Sequence, residues 1–380
     1  MATPKLRFKD FGEDWTAKKL SQVANLTSSK RVHLSDYVSE GIPFFRGKEI
    51  TELKSGIFPK DILYISKKQY EDFKEKFGAP QNNEILMTAV GTLANTYLIN
   101  TDFEFYFKDG NLIWFKDINA DPNFLMILLD ARKNDVLASA IGSTQKALTI
   151  ANLNKLIFNF PSNEEQTKIA SFLSAVDEKI NQLTQKHELL SQYKQGMMQK
   201  LFSQQLRFKA DDGSEFGEWD ELKFKDVIKI KYGKDHKKLE DGDIPVLGTG
   251  GIMRYVDSYL YDGESILIGR KGTIDKPQFI SGKFWTVDTL FYTEIGEKIQ
   301  PKFAFQQLLL VNWLNLNEAT GVPSLNTTSI GNIELKVPNL KEQTKIANFL
   351  SAIDQKIEVV AQQIEQAKTW KKGLLQQMFI

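Results

Sequence analysis

One stretch of this 380-residue chain occurs twice, as EEQTKIASFLSAVDEKI from Glu164 and as KEQTKIANFLSAIDQKI from Lys341, a displacement of 177 residues. A near copy at almost half the chain length means two versions of one unit, each closed by the same element. A second match supports this independently. LRFKDFGEDWTAKKLSQVANL from Leu6 recurs as LRFKADDGSEFGEWDELKFKDVIKI from Leu206, with Trp15 and Trp219 at corresponding places. The fold must therefore be one that can be built twice.

The repeated stretch opens a long helix in each half. Apolar residues fall at Ile169, Leu173, Val176, Ile180, Leu183, Leu190, Met197 and Leu201, and again at Ile346, Leu350, Ile353, Ile357, Val360, Ile364, Leu374 and Met378. Steps of four and three give the 3.5-residue period of a coiled-coil seam rather than the wider stripe of a core helix. Pro161 and Pro338 close the strand before each helix and disfavour helix just ahead of them. Roughly forty residues at 1.5 Å each make helices of about 60 Å, the length of a spacer. An antiparallel pair is the simplest way for the two halves to share them. Lys194 and Lys371 interrupt both seams, and His187 the first only. The lysines are expected to snorkel or to mark a splayed end, or else to show where the helices diverge to meet a partner, and His187 to pack between helices. Gly196 and Gly373 each cost about 1 kcal/mol relative to alanine in a helix interior, a hint of close backbone packing.

Between these elements the halves diverge but share landmarks. Gly41-Ile42-Pro43 answers to Asp243-Ile244-Pro245, ILMTAVGTLA from Ile85 to ILIGRKGTID from Ile266, and GNLIWF from Gly110 to DTLFYT from Asp288. These short runs, rich in β-branched and aromatic residues and bounded by Gly, Asp and Asn, read as strands. FLMILLDARK from Phe124 and FAFQQLLLVNWL from Phe303 read as one amphipathic helix per half. The expected fold class is α+β: two similar mixed α/β domains with twisted sheets, residues 1–161 and 204–338, separated by two long antiparallel helices, 162–203 and 339–380, in a pseudo-twofold internal repeat.

Composition narrows the function. Hydrophobic residues at 42% and charged ones at 26% are those of a soluble globular protein. With no cysteine there is no disulfide framework, zinc cluster or thiol nucleophile. The charged opening and the lack of a long apolar run lead us to expect a cytoplasmic protein with no membrane partner. Signs of catalysis are thin. GxxxxGK[ST] and GxSxG are absent, GTGG from Gly248 lacks a dinucleotide context, and His33, His187 and His236 lie far apart with no HExxH. Acidic-x-Lys strings such as Glu52-Leu53-Lys54 and Glu334-Leu335-Lys336 arise by chance in a charged chain. We therefore expect no catalytic residue and no metal site.

Basic residues among glycines and aromatics point elsewhere. Lys30, Arg31, Arg46 and Lys48 in the first half, and Lys234, Lys237, Lys238, Arg254, Arg270 and Lys271 in the second, are candidate DNA contacts. So are Gln145 and Lys146 in the polar loop from Gly142, and Asn326 in the matching loop from Pro323. Arg and Lys grip phosphates, while Arg, Asn and Gln also read base edges. A net charge of only +1 weighs against a nucleic-acid binder, although local patches can be balanced by acidic surface elsewhere.

The whole chain resembles the DNA specificity subunit of a type I restriction-modification enzyme. The resemblance lies in the LRFKDFGEDW opening, the two EQ-x-KIA-x-FL-x-A-x-D helix starts after proline, and the endings YKQGMMQKLF from Tyr193 and WKKGLLQQMF from Trp370. It implies two target recognition domains, each reading half of a split, asymmetric site in double-stranded DNA. It also implies partner methyltransferase subunits, two per chain by the repeat, and restriction (translocase and nuclease) subunits. S-adenosylmethionine, ATP and magnesium would belong to those partners, with no cofactor in this chain. Two other readings compete: a standalone nuclease acting between two DNA-binding lobes, which needs a carboxylate cluster the halves do not share, and a coiled-coil adaptor with no DNA contact.

Overall fold

The computed structural model describes residues 4–379. The chain divides into two compact units, one holding the chain up to Gln182 and again from Ile364, the other Leu183–Gln363. Both long helices, Asn163–Phe202 and Leu340–Met378, contribute to both units.

In the first unit an antiparallel sheet runs in the order Asn25–Thr27, Leu112–Lys116, Ile85–Thr88, Thr96–Leu98. A second sheet runs Tyr37–Val38, Leu63–Ile65, Ile42–Phe45, Tyr106–Phe107, its last pair parallel. The second unit repeats the scheme with Ile228–Tyr232, Leu290–Ile295, Ser265–Gly269, Gln278–Ile280 and with Gly251–Val256, Asp241–Gly248, Lys283–Thr286, Tyr261–Asp262, where Asp241–Gly248 and Lys283–Thr286 are parallel. The central strands Ile85–Thr88 and Ser265–Gly269 are buried along their whole length, which is why they read as unbroken apolar or small runs rather than as an alternation. The expected helices are Pro122–Ala131 and Pro301–Leu308, capped by Asp121 and Gln300 side chains and each starting with proline. Both pack their phenylalanines into the core of their own unit.

The repeated Glu-Gln pair explains how each unit is closed. Glu165 and Glu342 are 1% and 0% exposed. Arg7 grips Glu165 with two hydrogen bonds of 2.7 Å, and Arg207 grips Glu342 at 2.8 and 3.1 Å. The Trp15 and Trp219 indoles donate to the same carboxylates. The adjacent glutamines repeat one another as well: Gln166 accepts from the Asp121 amide and donates to Pro161 O, while Gln343 accepts from the Gln300 amide and donates to Pro338 O. The motif thus ties the N-terminal segment of each half to the start of its long helix. Ser162 and Asn339 side chains accept from the Glu165 and Glu342 amides and cap those helices.

The two helices run antiparallel in each unit. In the first, Ile169, Leu173 and Val176 share a cluster with Leu374 and Met378; in the second, Met198, Leu201 and Phe202 share one with Ile346, Leu350 and Ile353. Leu183, Val360 and Ile364 are also buried, while Ile180, Leu190, Ile357 and His187 are half-buried. Near the end of the first helix Met198 is buried and Met197 only partly, a shift of one residue from the expected seam.

The seam lysines behave differently from expectation. Lys194 pairs with Asp354 at 2.6 Å and Lys371 pairs with Asp177. Asp177 and Asp354 are repeat mates, as are Lys194 and Lys371, so one cross-helix ion pair is made twice with the roles of the helices exchanged. Neither lysine snorkels at a splayed end; each meets a carboxylate on the facing helix. The glycines Gly196 and Gly373 also correct an expectation, because a Cβ at either would meet nothing within 4 Å and no close backbone packing explains them.

Candidate nucleic-acid interface

The landmark loops of each unit converge at one place. In the first unit the Ala89 amide donates to Asn111 O at 2.8 Å, and the Leu148 amide donates to Ala89 O at 2.9 Å. In the second the Arg270 amide donates to Thr289 O at 2.8 Å, and the Leu325 amide donates to Arg270 O at 2.9 Å. The turn before one central strand, the loop after the other, and the polar loop ahead of the closing ribbon are therefore pinned together identically in both units. A further loop joins them. Lys30 follows the strand that pairs with Leu112–Lys116, and Lys234 follows the strand that pairs with Leu290–Ile295. These lysines hold corresponding positions.

On this common frame the side chains differ. Where the second unit carries Arg270-Lys271-Gly272, the first has Ala89-Val90-Gly91. Gly272 has φ of +89° and donates its amide to Pro323 O, a conformation open to glycine that lets two loops close on each other. The cations of the first unit gather instead at the end of the strand Ile42–Phe45. There the Lys108 amide donates to Phe45 O, just as Val287 donates to Leu247 O in the second unit, so Arg46 corresponds to Gly248.

Several candidate cations have protein partners. Arg46 is bonded through its guanidinium to Glu49. Burial alone would raise the Glu49 carboxyl, but the Arg46 guanidinium and nearby backbone amides outweigh it and hold the carboxyl below its ordinary value. Arg31 meets Asp109 at 3.1 Å, and Lys48 meets Glu52 at 3.7 Å one helical turn on. The Lys30 ammonium sits 4.2 Å from the Phe77 ring centroid. Arg254 is held by Asp241 and Leu239 O, and Asn326 caps the helix Thr327–Gly331 while donating to Glu318. Gln145 and Lys146 are exposed on a loop closed by the Ile141–Ala147 bridge, where Gly142, at φ +111°, has the Gln145 carbonyl oxygen only 2.3 Å from where a Cβ would stand.

In the second unit one candidate, Lys237, lines a cleft of 720 Å³ together with residues that include Thr249, Met253, Asp288 and Thr289. Lys234, Lys237, Lys238 and Lys271 are exposed. The Arg270 guanidinium donates to Asp288 O and lies 5.5 Å from the ring centroid of the exposed Tyr232. Sequence reasoning missed Tyr232, Thr249 and Asp288, and Lys108 in the first unit. Asp288 and Lys108 could have been found, since Asp288 opens the landmark DTLFYT and Lys108 stands two residues before its counterpart GNLIWF. Among the described residues no group of three or more His, Cys, Asp or Glu could hold a metal ion, and no helix is long and apolar enough to cross a membrane.

The two units are thus copies of one α/β frame, alike in backbone closure and unlike in loop side chains, which defines an internally duplicated protein class. The chain belongs to the type I restriction modification DNA specificity domain family, whose pattern it matches over residues 12–191 and 217–369. It is 26% identical over 399 residues to the type I restriction enzyme MjaVIII specificity subunit of Methanocaldococcus jannaschii, covering 89% of this chain and 90% of that one. It is 25% identical over 422 residues to the putative MjaX specificity subunit of the same organism, covering 98% and 94%. The crystal structure of the S subunit of a type I restriction-modification system from M. genitalium shares the fold, with a TM-score of 0.68 at 20% identity over 100% of this chain and 99% of that one.

Proposed function

We propose that this specificity subunit reads a bipartite, asymmetric site in double-stranded DNA, one half through residues 1–161 and the other through residues 204–338. The helical segments 162–203 and 339–380 set the spacing between half-sites. The observation that carries this reading is the pair of identical loop closures around Ala89 and Arg270 with different side chains on them: one backbone frame presenting two surfaces suits two different half-sites. In this reading the chain is non-catalytic. It directs methyltransferase subunits, two per chain, and restriction subunits to the site, and S-adenosylmethionine, ATP and magnesium act on those partners.

The test is to coexpress the chain with its methyltransferase and map the methylated bases. Exchanging the segment up to Pro161 for another recognition domain should change one half-site and leave the other intact. A change in both would overturn the two-reader proposal. Incubating the purified chain alone with DNA and magnesium should give binding without cleavage, whereas cleavage would favour a nuclease.

A further inference from the structure

The second unit's cleft carries a finer assignment, which rests on the DNA-reading function proposed above. We propose that Asp288 determines specificity by accepting a hydrogen bond from the N4 amino group of a cytosine in the major groove. Its place supports this. Asp288 is exposed and lines the cleft together with Lys237, and the Arg270 guanidinium donates to its backbone oxygen. Cations beside the cleft suit phosphates, which a carboxylate would repel. Base amino groups are the donors a duplex offers there.

Asp288 is also the carboxylate of the cleft that is free to act. Arg270 binds its backbone oxygen, and no hydrogen bond or ion pair engages its side chain among the described residues. The other carboxylate in the lining, Asp235, accepts from the Lys237 amide within its own turn. Adenine places the N7 acceptor beside its amino group, where it would repel a carboxylate, so cytosine is the better match. The first unit lacks this device. Gly110 stands where Asp288 does, and the neighbouring Asp109 is held by Arg31 at 3.1 Å. The cleft also has Gly248 where the first unit has Arg46, so no arginine side chain stands at that point, which Met253 borders instead.

The test uses the full chain in complex with its methyltransferase, selecting bound duplexes from a library randomised across both half-sites. The wild-type pool should fix cytosine at one position of the second half-site. Asp288→Ala should accept any base there, with discrimination reduced about ten- to hundredfold. Asp288→Asn, close in shape and able to pair with N6 and N7, should shift that position to adenine. The first half-site should be unchanged in both variants and reports that each is folded. Cytosine retained at that position in both variants, or a change confined to the first half-site, would overturn the assignment. A wild-type pool with no enriched half-site would instead defeat the function on which it rests.

Discussion

Arg7 and Arg207 each hold a carboxylate that lies almost wholly out of water, and the two members of such a pair are not equivalent. Removing the arginine leaves a buried charge with only an indole N–H for company. Removing the glutamate leaves a guanidinium that can turn toward solvent, since the Arg207 side chain is 20% exposed. Arg207→Ala should therefore destabilise the second unit by about 3–5 kcal/mol, and Glu342→Ala by less, as read by urea unfolding. Glu49 sets a pH dependence. Its folded-state carboxyl is held below the ordinary value, so its stabilising contribution is complete above the unfolded value of about 4.3. It is lost as the pH falls through the folded-state value beneath that. Unfolding titrations across the acid range should show this loss in the wild type. Glu49→Gln should start from lower stability at neutral pH and lose less on acidification.

At the level of elements, the long helices carry both a stabilising device and an unexploited cost. The pairs Lys194–Asp354 and Lys371–Asp177 place opposite charges at matching points of an otherwise apolar seam, which disfavours parallel or slipped pairings that would strand those charges. Gly196 and Gly373 do nothing comparable, as space is open around both. Gly196→Ala and Gly373→Ala should each stabilise the protein by about 0.5–1 kcal/mol through helix propensity, visible as a raised thermal midpoint in each single variant and again in the double. A loss of stability in either would mean that the glycine is required for a reason its surroundings do not display.

For the molecule as a whole, a net charge of +1 means that attraction to DNA must come from local patches. Lys271 is well placed to show this, because its backbone is held by bridging to Ser324 while its side chain is exposed. Lys271→Ala should weaken DNA binding at low salt and reduce the slope of log affinity against log salt by about 1. Arg254→Ala, whose guanidinium is already held by Asp241, should change that slope less. Binding isotherms at several salt concentrations distinguish the two.

What the sequence by itself determined is whatever repeats along the chain. The 177-residue displacement, the seam period and the Glu-Gln motif all follow from local patterning, because burial in a helix pair demands a fixed spacing and each half states it again. The strands Ile85–Thr88 and Ser265–Gly269 were legible for a similar reason, as short apolar runs. Only the tertiary structure decided what meets across the chain. That Lys194 faces Asp354, that Arg46 is held by a buried glutamate, and that Arg270 is pinned between Thr289 and Leu325 depend on contacts between residues whose separations carry no period. Charge and polarity can nominate an arginine. Whether it is free to touch DNA depends on the neighbour that folding places beside it, and in Asp288 folding leaves a carboxylate exposed in a cleft that Lys237 also lines.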